Sequence, residues 1–125
     1  FLRPWRRQLP LVKYYIEGWL REPVTMMLGW EIGIRTGWDK SLGFKGRHLE
    51  SLLTPELWDE YKMTYVDHDY DNLWDSLFLF LAIFERSARS VAEKSGFRFP
   101  KETAAKVMSF LEHVRTLPAD AKQIY

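Results

Sequence analysis

The chain has 125 residues and a net charge of +1: enough length for one domain with a sizeable core, and too little charge to suggest nucleic acid or an anionic membrane surface as partner. It contains no Cys, which excludes a disulfide framework and a thiolate zinc site and fits a reducing, cytoplasmic setting. Aromatic residues make up 16% of it, six of them Trp, a supply that serves either a dense core or a lined pocket.

The chain opens on Phe1 rather than Met and carries no signal-peptide pattern, so one expectation is a fragment of a longer protein. From Leu2 to Leu20, the residues Leu11, Val12, Tyr15, Ile16 and Trp19 form a helical stripe, with Arg3, Arg6, Arg7 and Lys13 mostly off it. Pro4 and Pro10 suit helix starts and would disturb a helix already under way, which puts the firm helix near Pro10. The early Arg cluster reads as solvated surface or, alternatively, as an interface with a preceding domain. A turn at Arg21 and Glu22 then leads to Pro23, apt for a first helical position, and to a second helix ending near Thr36. Met27, Trp30 and Ile34 share one side of it, and Gly33 permits close approach of a neighbouring helix. Glu31 and Arg35, four apart, can pair across one turn, although the direction of Glu31 also lies near the apolar face.

The segment from Gly37 to Gly46, with Arg47 and His48 after it, reads as a connecting loop. Its glycines, Ser41 and the basic Lys40, Lys45 and Arg47 could also face phosphate oxygens. The spacing is not that of a P-loop, and no strand precedes it. Leu49, Leu52 and Leu53 suggest a helical turn. Thr54-Pro55-Glu56 signals a new helix start, whose apolar side is Leu57, Trp58, Tyr61 and Tyr65.

The longest element is predicted from Asp69 to Lys94, where Leu73, Trp74, Leu77, Leu81, Phe84, Ala88 and Val91 recur at three- and four-residue steps. Leu77 to Phe84 is apolar without a break, so this helix is expected to be enclosed on every side. The run is far short of the roughly 20 residues that cross a bilayer. Asp67, Asp69, Asp71 and Asp75 crowd its start, where carboxylates cap a helix and complement its dipole. The second reading of these aspartates, beside His68, Tyr70 and Trp74, is a surface for a cationic ligand. Gly96 suits the closing left-handed residue. Phe97 and Phe99 then pack a linker, and a last helix from Pro100 carries Val107, Phe110, Leu111 and Val114. Thr116-Leu117-Pro118 breaks it, and the tail is expected to fray. The architecture is all-α: a bundle of about five helices around a long, buried central one.

No catalytic group and no metal site emerges. Asp67-His68-Asp69 opens a helix rather than lying on a strand after a Gly-Ser turn, so it is not a magnesium-binding acid pair for nucleotidyl transfer. His48, His68 and His113 lack zinc-protease spacing, and no Ser sits in a nucleophile elbow.

Trp30 to Gly37, Ser41-Leu-Gly43, Leu49, Pro55-Glu-Leu-Trp58, Thr64-Tyr65 through Asp69-Tyr70, Leu73 to Phe78 and Val91 to Gly96 together resemble the C-terminal half of the aminoglycoside 6-adenylyltransferases, the streptomycin-modifying nucleotidyltransferases. The likeness runs over about residues 11 to 112. It implies a two-domain enzyme that moves AMP from ATP to a hydroxyl of an aminoglycoside, with magnesium. Residues 1–125 would form its single helical substrate-binding domain, and the nucleotidyltransferase domain would act in cis or in trans. ATP and magnesium would serve the full enzyme rather than this chain alone, with neither nucleic acid nor membrane as partner. The resemblance points to Asp69, Tyr70, Trp74 and Asp75, with Trp30 and Glu31 as neighbours, for a polycationic ligand. It also points to Ser41, with Lys45, Lys40 or Arg47, for the nucleotide phosphates; Phe44 stands where the family often has Lys. The alternative is a stand-alone, non-catalytic helical binding or oligomerisation module of the same ancestry.

Overall fold

In a computed structural model residues 6–124 are described, so the expectations for Leu2, Arg3 and Pro4 lie outside the described residues. The elements are α1 (Leu9–Tyr14), a π-helical segment (Tyr15–Leu20), α2 (Arg21–Thr36), a short 3-10 turn (Phe44–Gly46), α3 (Leu49–Leu52), α4 (Pro55–Lys62), α5 (Tyr70–Ser95) and α6 (Lys101–Thr116). No strand occurs among the described residues, and the all-α bundle around a long helix is as the periodicity predicts. Among the same residues no helix is long and apolar enough to cross a membrane.

The expected turn before Pro23 is absent. Helix continues from Leu9 to Thr36, and Pro23 lies within it. The reason is the π-helical segment, where the Arg21 N–H reaches back five residues to the Ile16 carbonyl. A Pro ring meets the carbonyl four residues before it in a regular helix, here that of Trp19, and the widened turn opens the backbone there. The same turn keeps a row in line. Val12, Ile16, Leu20, Val24, Leu28 and Ile32 are all buried and spaced by four, a step that drifts by about 40° each time in an ideal α-helix. The wider π turn rotates the row back toward the core.

α2 ends on Gly37 at φ 75°, with the Trp38 N–H bonded to the Gly33 carbonyl at 2.9 Å. Gly33 does not receive a neighbouring helix, as expected, but the indole of Trp38, which a Cβ at Gly33 would overlap. From there the chain folds back along α2: Leu42 lies against Gly29, and Gly46 lies close to Thr25.

α2 and α5 form the main packed pair, with Val24, Leu28 and Ile32 in one core with Leu73, Leu77, Phe80 and Ile83. α5 starts on the Asp69 cap and closes on Gly96 at φ 78°, as the sequence predicts. It is not enclosed on every side. Leu81, Phe84 and Val91 are only half-buried, and Ala82, Arg86 and Arg89 are exposed, because α6 covers α5 thinly. α6 runs antiparallel to α5 and buries Leu111 and Val114, while Val107 stays 46% exposed. The tail does not simply fray: Leu117, Ala121 and Ile124 pack against the core.

Candidate functional site

The loop between α4 and α5 brings the aspartates to the surface in a fixed arrangement. Asp67 Oδ1 accepts from the Asp69 N–H at 3.0 Å and from Asn72 Nδ2 at 3.0 Å. Asp69 Oδ1 accepts from the Asn72 N–H at 3.1 Å, which makes it the N-cap of α5. The Asn72 amide and the Asp69 N–H hold the Asp67 carboxyl below the usual carboxylate range. Asp67, Asp69, Asp71 and Asp75 are all exposed. Capping uses one oxygen of Asp69, so the capping and ligand readings of this residue are compatible.

Aromatic faces and cations complete this end of α5. The Arg7 guanidinium lies 5.3 Å from the centroid of the half-buried Tyr70 ring. Arg115 of α6 donates to Asp75 Oδ1 at 2.9 Å and to the Asp71 carbonyl at 3.3 Å, with its guanidinium 5.8 Å from the Phe78 centroid. Two guanidinium groups of the chain itself thus sit on the carboxylates and rings of this face. Trp74, expected to contact a ligand, is instead 4% exposed and stacks on Phe78 with centroids 5.9 Å apart. It backs the face from within.

Trp30 and Glu31 do not join the aspartates. Glu31 accepts a short hydrogen bond from Ser87 Oγ, and Ser87 is about 27 Å along α5 from Asp69 at 1.5 Å per residue. The expected Glu31–Arg35 pair is replaced as well, since Arg35 Nη2 donates to the Leu52 carbonyl at 2.6 Å. Glu31 lies instead at a cavity of about 60 Å³ walled by Leu28, Ile32, Leu53 and Leu57 and rimmed by Arg35 and Lys94. Trp30 is on the outer face of α2, partly exposed.

The glycine-rich loop is folded on itself. The Ser41 hydroxyl accepts from the Gly43 N–H at 3.1 Å, and the His48 N–H bonds to the Leu42 carbonyl at 2.8 Å. Lys45, at φ 55°, pairs with Glu22 at 2.8 Å, and that contact holds the Glu22 carboxyl below its ordinary value. Arg47 Nε donates to His48 Nε2 at 3.3 Å, and Lys40 is exposed. Ser41 braces the turn, and Lys40, Lys45 and Arg47 give the loop a cationic surface.

Sequence reasoning missed Arg21. It is buried at the start of α2, pairs with Glu17 through Nε at 2.5 Å and Nη2 at 3.0 Å, and lies 3.5 Å from the Tyr65 ring centroid. Burial is the largest single influence and opposes its charge, but Glu17 and Tyr61 together outweigh it and raise its pKa. The signal was available: Arg21 falls in line with Val24 and Leu28 on the core side. Among the described residues no group of three or more His, Cys, Asp or Glu is placed to hold a metal ion. The chemistry this end of α5 offers is recognition of cations by exposed carboxylates and ring faces.

Residues 3–114 match the family model described as streptomycin adenylyltransferase. An aminoglycoside 6-adenylyltransferase of Bacillus subtilis (strain 168) is 27% identical over 81 residues, 65% of this chain and 28% of that protein. One from Campylobacter jejuni is 28% identical over 81 residues, with the same shares. The match thus spans just over a quarter of the length of these curated relatives. A crystal structure of an aminoglycoside 6-adenyltransferase from Bacillus subtilis has the same fold, with a TM-score of 0.67 at 19% identity over 93% of this chain and 50% of that chain.

Proposed function

The chain belongs to the streptomycin adenylyltransferase family, and from that premise we propose that it is the substrate-binding helical domain of an aminoglycoside 6-adenylyltransferase-like enzyme. The enzyme transfers AMP from ATP to a hydroxyl of an aminoglycoside such as streptomycin, in the cytoplasm. Catalysis belongs to a nucleotidyltransferase domain acting in cis or in trans. This chain's part is to hold the cationic substrate on Asp69, Asp71 and Asp75, with Tyr70 and Phe78 as ring faces and Trp74 behind them.

The observation that carries this reading is the seating of Arg7 over Tyr70 and of Arg115 between Asp71 and Asp75. The chain's own guanidinium groups on these rings and carboxylates support a guanidinium-bearing ligand for this surface. Exposed charge pairs each contribute about 0–1 kcal/mol in water, so affinity comes from several contacts together and declines with salt. Among the described residues no group of three or more His, Cys, Asp or Glu is placed to hold magnesium, and the chain is assigned no step through it. For ATP the residues suit the phosphates in charge: Lys40 and Arg47 lie on the exposed glycine-rich loop, and Lys45 would exchange Glu22 for a phosphate oxygen. Trp30 and Glu31 are left out of the substrate face by their distance from it.

Calorimetric titration with streptomycin at low and moderate salt tests the reading. Saturable, salt-sensitive binding that is weakened at least fivefold by Asp75→Asn supports it, and salt-independent binding that is indifferent to Asp75 contradicts it.

One observation favours the alternative of a stand-alone binding or oligomerisation module. Trp19, Met26 and Trp30 lie along the outer face of the helix, opposite its buried row, and Trp38 is exposed nearby. An apolar row of this kind suits a folded partner. Concentration-dependent dimerisation in sedimentation equilibrium, with no streptomycin binding, is the outcome that reading predicts.

A further inference from the structure

The backbone leading into the acidic loop is held by side chains that are not themselves on the proposed ligand face. Thr64 is fully buried. Its hydroxyl donates to the Tyr61 carbonyl at 2.7 Å and accepts from Arg21 Nη1 at 2.9 Å. Its carbonyl accepts from Ser76 Oγ at 2.6 Å. Two residues on, the Val66 carbonyl accepts from Lys13 Nζ at 2.7 Å. Side chains from α1, α2 and α5 therefore fix the chain at residues 64 and 66, immediately before Asp67 and Asp69.

Stability alone does not explain this arrangement. Burying a guanidinium is costly, and well-packed apolar residues in its place are often as stabilising or more so. What a satisfied buried polar network supplies is a unique geometry. Here that geometry passes directly to the carboxylates, because Asp67 follows Val66 in the chain and closes the loop on Asp69 and Asn72. We propose that Arg21, Thr64, Ser76 and Lys13 are positioning residues that set the acidic loop in its ligand-ready form before a cation arrives. A loop already ordered loses less conformational freedom on binding. The part of this inference that concerns ligand affinity rests on the substrate reading above; the ordering of the loop does not.

Two readouts on the same variants keep those parts distinct. Amide hydrogen exchange is measured at Asp69 and Asn72 in Thr64→Val, Ser76→Ala and the conservative Thr64→Ser, alongside the thermal midpoint and streptomycin affinity by calorimetry. Thr64→Val and Ser76→Ala are expected to accelerate exchange at these two amides about tenfold or more over the change in α5 interior amides, since each removes a buried hydrogen bond next to the loop. Thr64→Ser is expected to restore the parent rates. Streptomycin affinity falls about tenfold in the first two variants and recovers in the third. Should Thr64→Val fail to fold, Ser76→Ala and the peripheral Lys13→Met carry the same comparison. Parent-like exchange at Asp69 and Asn72 in the folded variants overturns the positioning role, and so does loosened exchange with undiminished affinity in a parent that binds. If the parent does not bind streptomycin, the substrate reading fails, while selective loosening of the two amides still upholds the ordering device.

Discussion

Asp69 caps α5, and its proposed contact with the ligand can be separated from that role. As N-cap of α5 it satisfies the Asn72 N–H, and Asn caps a helix about as well as Asp does. Asp69→Asn should therefore leave stability within about 0.5 kcal/mol of the parent, whereas Asp69→Ala should cost about 1 kcal/mol, both read by urea denaturation. Both variants should weaken streptomycin binding, because both remove the charge. Arg115 makes a prediction of opposite sign. Its guanidinium occupies Asp75 and the Asp71 carbonyl, so Arg115→Met should cost under about 1 kcal/mol of stability, as befits an exposed pair, yet raise streptomycin affinity about two- to fivefold. Reduced affinity in that variant would show that Arg115 is part of the ligand contact rather than a competitor. Asp67 belongs to the same scale through pH. Its folded pKa is depressed by Asn72 and the Asp69 N–H, so its contribution is full above the ordinary aspartate value of about 4 and is lost as pH falls below it. Thermal midpoints between pH 7 and pH 3 should drop less steeply in Asp67→Asn than in the parent.

Among the elements, α5 was the most legible, because its cap, its stripe and its closing glycine all agree on the same bounds. The α1–α2 continuity was not, because a Pro after a Glu reads as a helix start, and nothing in the residue types around Gly18 announces a π turn. The pairing of Gly29 and Gly33, four apart, was a readable sign of a close approach. What approaches is the return loop with Leu42 and Trp38, which local patterns do not reveal. Gly33→Ala should show the effect: the helix-propensity gain of about 1 kcal/mol is opposed by displacement of the Trp38 indole. In a double-mutant cycle with Trp38→Ser, a coupling of about 1 kcal/mol or more is expected, and additive effects would contradict the packing. α6 lies at the opposite extreme from α5. With Val107 and Phe110 exposed and only Leu111 and Val114 buried, its first turns should exchange amide hydrogens well before those of α5.

At the scale of the whole molecule, α5 is a ruler with different chemistry at its two ends. The acidic, ring-lined face stands at its start, and the Glu31–Ser87 contact lies toward its other end. The resemblance grouped Trp30 and Glu31 with the aspartates; the parallel run of α2 and α5, which sets Arg21 beside Phe80 and Glu31 beside Ser87, separates them. The aromatic surplus divides in a related way, with Trp74 in the core and Trp19, Trp30 and Trp38 on the surface, a split that composition alone does not resolve. The outer aromatic row and the acidic face proposed for the substrate are distinct surfaces, which is the geometry a domain needs if it is to hold a ligand and a protein partner together. The most direct test of where the ligand sits is a streptomycin titration of the isotope-labelled chain followed by backbone amide shifts. Saturable shifts concentrated from Asp67 to Asp75 and at Arg115 are expected; shifts centred on Trp30, Glu31 and Ser87, or none at saturating drug, would rule out the acidic face as the ligand site.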